Sequence, residues 1–439
     1  MDITSYLNSL EDCREALIRF RRDLHRHPEP GWKEFYTTAR LIAALKDHGI
    51  PAKYGKEILH RDYLWGYPPQ KELDVCMERA VSQGADAGII KEMDGFTGAM
   101  AVIETGNPGP VTALRFDIDC NDVGEDMDPC RLPVKNGFSS ENCGCMHACG
   151  HDGHASLGLF VCLALNAIRK DLSGVIKVIF QPAEEHVIGS KAMIAEGALD
   201  GVDAIFGQHV WGTLDIPYID VTAGPRMAYS GRFTVDVLGT SSHAATPHLG
   251  ADAITGAAAI INNLQQYVSR MSNPLDPVVL TIGTISGGNR YNAIANHVTM
   301  EGVTRAYFLD KHEEAMRQIV ENTAEGLGMK AVLKYAHVVH PVINDDDDLT
   351  EIAQKAVVKL FDEETLCHMP AMMGSEDFSW FGKDGTPYIY GFVASHNKDW
   401  DYMYGNHHEK YDVDETILHR GAAVAAQFAA DYLAETAQQ

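Results

Sequence analysis

Positive charge is scarce in this sequence: 36 lysines and arginines stand against 61 aspartates and glutamates, a formal net charge of −25. Nucleic-acid binding needs a basic patch that releases counterions, so that partner class is excluded, as is an anionic membrane surface. Long apolar runs are missing as well. No stretch approaches the roughly 20 residues that span a bilayer. The segment Met1–Leu10 lacks the basic and then apolar pattern of an export signal. Cysteine is sparse and odd in number, nine in 439 residues, which does not suit a disulfide framework. Repeats and low-complexity tracts are also absent. The composition therefore predicts an acidic cytoplasmic protein kept in solution by its charge.

What is present is ordinary globular material, 45% apolar and 22% charged. The length predicts two to three domains. Leu7, Leu10, Leu17, Phe20 and Leu24 recur at helical spacing, and a second helix through Glu34, Leu41 and Leu45 ends at Gly49. Residues 56–98 read as an insertion around a sheet, with a helix from Lys71 to Gln83. Apolar runs at Gly98–Glu104, Val111–Phe116, Val175–Phe180 and Ala204–Phe206, with a helix over Gly153–Arg169, predict an α/β fold with a mostly parallel sheet. From residue 227 the pattern changes to strand, helix, two strands, helix, strand, the last strand being Lys330–Val339. That βαββαβ order predicts a ferredoxin-like domain over 227–339, inserted into a catalytic domain of 1–226 and 340–439. Asp345–Asp348 reads as the solvated start of a helix at Leu349–Phe361, and a last helix covers Ile417–Leu433.

The densest chemistry is Met146-His-Ala-Cys-Gly-His-Asp-Gly-His154. Gly150 and Gly153 are expected to turn the chain so that Cys149 and His151 converge. The start of the following helix favours a thiolate. A zinc knuckle from Cys143, Cys145, Cys149 and a histidine fits poorly, because knuckles use two well-separated Cys pairs. Glu184 and Glu185 follow a buried strand and emerge at its carboxyl end, where ligands gather in open α/β sheets. One can hold metal while the other serves as a general base. Gln208-His209 is placed directly after the strand Ala204–Phe206. Near the end, Asn406-His407-His408-Glu409 offers a further histidine, and the residues leave His407 and His408 open. Cys149, His151, Glu185, His209 and one of these make five ligands. Five is too many for one zinc with an open position and suits two metals sharing a ligand.

These motifs, with Ser242-His-Ala-Ala-Thr-Pro247 and Gly374-Ser-Glu-Asp-Phe378, resemble the amidohydrolase branch of the M20 metallopeptidases over nearly the whole chain. Within that branch the likeness is greatest to hydrolases of p-aminobenzoyl-glutamate, including the insertion closed by Asp94-Gly-Phe-Thr-Gly98. The resemblance implies Cys149, His151, Glu185, His209 and His407 as ligands of two divalent ions, Mn²⁺ or Zn²⁺. His407 is preferred because it stands four residues before Tyr411. It implies Glu184 as general base and His243 as oxyanion donor across a dimer. Asn292, Arg305 and, at the catalytic-domain wall, Ser375 are implied to bind the substrate carboxylate. The inserted domain is implied to form a homodimer, or a heterodimer with a related second subunit. Two features depart from the usual pattern: Cys120-Asn121 replaces Ala-Leu after Arg115-Phe-Asp117-Ile-Asp119, and Cys143 and Cys145 are additional.

The implied reaction is hydrolysis of the amide of p-aminobenzoyl-glutamate. Its rivals are a broader N-acyl amino acid or dipeptide hydrolase, a non-catalytic subunit that supports a partner, and a structural zinc module.

Overall fold

The computed structural model describes residues 11–308, 310–400 and 404–437. The predicted helical positions Leu7 and Leu10 lie outside them. The chain divides into two compact units. One holds the chain up to Gly224, Asn344–Met369 and the chain from Trp380 on; the other holds Pro225–Ile343 and Pro370–Ser379.

The first unit is built on an eight-stranded sheet. Its strands are β1 (Ala52–Tyr54), β2 (Ala99–Glu104), β3 (Val111–Asp117), β4 (Val175–Gln181), β5 (Ala204–Asp215), β6 (Ile219–Asp220), β13 (Leu366–Cys367) and β14 (Tyr388–His396). Their order is β1-β2-β4-β3-β5-β14-β6-β13. The centre, β4-β3-β5-β14, is parallel. β2 runs antiparallel to β4. The connection from β2 to β3 is only residues 105–110, too short for the crossover of a dozen or more residues that parallel strands need.

The helix His151–Ile168 is buried on almost every side, as its mostly apolar sequence demands. Gly158 lets it approach the sheet: a Cβ there would stand 2.6 Å from Phe180 and 2.7 Å from Phe116. The helices Glu11–Arg26 and Leu418–Thr436 pack against it. The helix Phe35–Asp47 stops at left-handed Gly49 (φ 65°), whose N–H donates to Lys46 O, while Ile50 N–H donates to Leu45 O.

β7 (Gly224–Met227) and β12 (Val342–Asn344) lie where the chain passes from the first unit to the second and back. In the second unit, β8 (Tyr229–Leu238), β9 (Val278–Gly287), β10 (His297–Ala306) and β11 (Lys330–Val339) form an antiparallel sheet ordered β11-β8-β10-β9. Phe233, Val235 and Val237 alternate inward along β8 onto Ala257, Ile260, Met316 and Val320 of the helices Ala253–Gln266 and Asp310–Gly326. This is the split βαββαβ arrangement expected from the sequence.

Candidate metal centre

Three turns and one strand supply the donors of the first unit. Cys149 precedes Gly150, which is left-handed at φ 83° and starts the helix His151–Ile168. A Cβ on Gly150 would lie 2.3 Å from Val210 and 2.9 Å from the Tyr411 hydroxyl, so only glycine fits. Gly153, expected to turn the chain, lies inside the helix and does not turn it. β4 ends at Gln181, and left-handed Ala183 (φ 54°) redirects the chain into Glu184 and Glu185. Ala183 N–H donates to Glu34 Oε1 at 2.8 Å. Thr97 donates to Glu34 Oε2 at 2.6 Å, tying the end of the insertion to this turn.

His209 is placed differently from the sequence expectation. The strand does not end at Phe206 but runs to Asp215, because Val210 and Trp211 continue the run that pairs with β14. His209 lies within it, past the point where pairing with β3 stops at Gly207. The last donor, His407, is left-handed at φ 70°, and its N–H donates to Ala148 O at 2.7 Å. A non-glycine residue held there is costly and is tolerated where surrounding contacts over-determine it.

These side chains converge. Cys149 Sγ lies 3.4 Å from His209 Nε2 and 3.3 Å from His407 Nε2. His407 Nε2 lies 3.4 Å from Glu185 Oε1. His151 Nε2 lies 3.8 Å from Glu185 Oε1 and 4.0 Å from Glu184 Oε2. Among the groups of possible ligands whose atoms lie within 4.8 Å of one another are two donor triads, Cys149-His151-His209 and Cys149-Glu185-His407, and a third group, His151-Glu184-Glu185, sets Glu184 beside them. Cys149 belongs to both triads. His408 goes elsewhere: its Nδ1 accepts from Lys410 N–H at 3.0 Å and its ring stacks on Tyr404.

The opposite ring nitrogens are fixed by hydrogen bonds, as in metal-binding histidines. His209 Nδ1 donates to Val210 O at 2.6 Å, which leaves Nε2 as the acceptor facing Cys149. His151 Nδ1 pairs with Asp119 Oδ1 at 3.1 Å, and Asp119 Oδ2 accepts Glu185 N–H at 3.0 Å. His151 Nε2 is fully buried and has no hydrogen-bond partner among the described residues. A buried orphan nitrogen aimed at carboxylate oxygens and a sulfur fits a cation.

Charge agrees with that. Burial acts to raise the Glu185 carboxyl, but the His407 hydrogen bond and the His151 charge outweigh it and hold it at about 2. The contacts of His407 with Cys149 and Glu185 push it up to about 10. The donors thus hold protons in a place where a divalent ion can replace them.

The sequence motifs contain the residues that support these donors, but their supporting roles were not assigned from sequence. Asn406 accepts from Gly212 N–H at 2.9 Å and donates toward Cys149 O at 3.3 Å. His154 has both ring nitrogens engaged: Nδ1 with Asp117 Oδ1, and Nε2 accepting Val210 N–H at 2.8 Å. That accounts for its place outside the donor set. Arg115 donates to Gln181 Oε1 at 2.8 Å and to Asp117 Oδ2 at 2.6 Å, wholly buried. Asp152 takes Arg21 Nε at 2.7 Å and His25 Nδ1 at 2.8 Å, below the turn at Gly150. The alternation Arg115-x-Asp117-x-Asp119 along a buried strand was the available signal, since charges so buried must be partnered.

The other four sequence-predicted residues lie in the second unit and form two pairs. His243 and Asn292 are exposed neighbours: His243 bridges Ala293, and Ala244 N–H donates to Asn292 O at 3.2 Å. Arg305 Nη1 donates to Met373 O at 2.9 Å and lies 3.4 Å from Ser375 Oγ. Ser375, expected at the catalytic-domain wall, therefore travels with the second unit, because Pro370–Ser379 packs along β10 through Arg305 and Tyr307.

Comparisons with known proteins point to hydrolases. A Haemophilus influenzae protein, described as the homolog of one of the p-aminobenzoyl-glutamate hydrolase subunits, is 30% identical over 93% of this chain and 96% of its own. An N-acetyl-L-cysteine deacetylase of Bacillus subtilis is 31% identical over 93% of this chain and 86% of its own. A crystal structure from Bacillus subtilis, described as a dinuclear metal binding peptidase from the M20 family, superposes with a TM-score of 0.76. It is 28% identical, over 97% of this chain and 99% of that one. Residues 113–431 match the description Peptidase family M20/M25/M40. The chain belongs to that family and is a metal-dependent amidohydrolase or peptidase.

Proposed function

We propose that this chain hydrolyses the amide bond of N-acyl amino acids, with p-aminobenzoyl-glutamate as the lead substrate, at a centre for two divalent ions. The observation that carries this is Cys149, shared by two donor triads that bring together Cys149, His151, Glu185, His209 and His407. A shared ligand between two such sets is what a dinuclear centre needs. Manganese or zinc bound there would polarise a water and the amide carbonyl. Glu184, whose Oε2 stands 4.0 Å from His151 Nε2, takes the proton of the attacking water and then delivers it to the leaving amine. His243 donates to the developing oxyanion. Arg305, with Ser375 at its side, and Asn292 hold the amino-acid carboxylate, a task for which the guanidinium fork is suited. The second unit is proposed to form the dimer, through exposed edge strand β9.

Glu184→Gln tests the assignment. It should keep full metal content by elemental analysis and lose about 10²–10⁴-fold in turnover. Near-normal turnover with metal present overturns it.

A second reading, a hydrolase of small N-acyl groups, is favoured by the deacetylase at the same level of identity. Hydrolysis of p-aminobenzoyl-glutamate and N-acetyl amino acids side by side separates the two.

A further inference from the structure

A cavity of about 350 Å³ in the first unit is lined by Asp62, Tyr63, Trp65, Ile188 and Lys191. Three of the five come from the insertion 56–98, which the metal centre does not use directly. The other two come from the segment that follows the Glu184–Glu185 turn. Ile188 is three residues beyond Glu185, so their Cα atoms can be no more than about 11 Å apart. His60 N–H donates to Ala192 O at 3.0 Å, which ties the insertion to the helix Gly189–Ala195.

The aromatic walls are open to solvent yet held in place. Tyr63 is 45% and Trp65 49% exposed. The backbone of Trp65 is pinned by Trp32, 1% exposed, whose indole N–H donates to Trp65 O at 2.8 Å. Lys191 Nζ stands 3.5 Å from the ring centre of Trp380 and 6.0 Å from that of Trp65, so a cation is held between two indoles. Tyr63, Trp65 and Ile188 are grouped at one cavity, and it is grouping rather than exposure alone that marks a binding patch.

We propose that this cavity is the subsite for an aromatic acyl group. This inference rests on the amidohydrolase reading above and deepens it. A flat, electron-rich ring stacks on Trp65 and Tyr63, beside the Lys191 ammonium. Asp62 accepts from an N–H or amino group on the ring. The volume falls in the range of small-molecule sites and is far larger than an acetyl group needs. The insertion would thus set acyl preference without touching the metal donors.

The test compares kcat/KM for p-aminobenzoyl-glutamate and N-acetyl-glutamate in the manganese-loaded full chain. Trp65→Ala should lower the ratio of the two at least tenfold, chiefly through KM for the aromatic substrate. Trp65→Phe should restore most of it. An unchanged ratio in Trp65→Ala, with its melting temperature intact, overturns the subsite. If the wild type hydrolyses neither compound, the catalytic reading fails on its own. The subsite is then read by saturation-transfer NMR with p-aminobenzoate. Transfer lost in Trp65→Ala supports the subsite, and equal transfer in both proteins overturns it.

Discussion

Asp119 touches no substrate in the proposed reaction, yet it holds His151 through one oxygen and the Glu185 backbone through the other. Asp119→Asn should therefore weaken metal binding about 10–100-fold, the usual loss when the partner of a ligating histidine is altered. Competition with a chelator reads this directly. His407 and His408 are adjacent in sequence and differ in consequence. His407→Ala should lower the metal held per chain, whereas His408→Ala should leave it unchanged; equal effects would contradict the donor set. Cys145 is a third case. Its hydrogen bond with the buried Cys120 thiol lowers it to about 7. Alkylation of Cys145 by iodoacetamide should rise steeply through pH 7, as peptide mass mapping would show, and Cys120→Ala should move that rise to higher pH.

Among the elements, the helix His151–Ile168 carries the site on a close approach to the sheet. Gly158→Val would drive a branched side chain into Phe116 and Phe180, and should cost about 2–3 kcal/mol or more. Denaturant unfolding measures it. The C-terminal helix contributes a pH response. Burial, with Arg14 and Arg420 nearby, lowers His419 to about 4. Unfolded, the same ring takes a proton near pH 6.5. Its contribution to stability is therefore complete above pH 6.5 and is lost as the pH falls toward 4. His419→Leu should flatten the fall in melting temperature over that window.

These elements also show what could be read in advance. The donor cluster around Cys149 was legible because five ligand-type side chains and two glycines fall within nine residues. The βαββαβ order was legible from periodicity alone. His209 was named as a donor but put at a strand end, since nothing local says that Val210–Trp211 continues β5 until β14 pairs with it. The supporting roles of Asn406, Glu34 and His154 were not legible, because each acts on a partner far away in sequence, whereas the Arg115-x-Asp117 alternation was in view. The same holds for Pro370–Ser379, whose place is fixed by Arg305 and Tyr307.

At the scale of the whole molecule, the charge of −25 acts against compaction. Screening extends over about 10 Å at roughly 0.1 M salt and relieves it. The melting temperature should rise as sodium chloride goes from about 10 to 150 mM, and a fall would mean that attractive ion pairs dominate instead. Among the described residues no helix is long and apolar enough to cross a membrane.

The hydrogen bond from His407 N–H to Ala148 O joins two turns that are far apart in the chain. On a ribosome moving at about 5–20 residues per second, the nearly 200 residues between His209 and His407 take roughly 10–40 s to make. For that interval the nascent chain holds a cysteine, two histidines and a glutamate of the proposed centre but not its last donor. The left-handed turn at His407 works as a late clasp, so that full metal affinity should arrive only once almost the entire chain has been made.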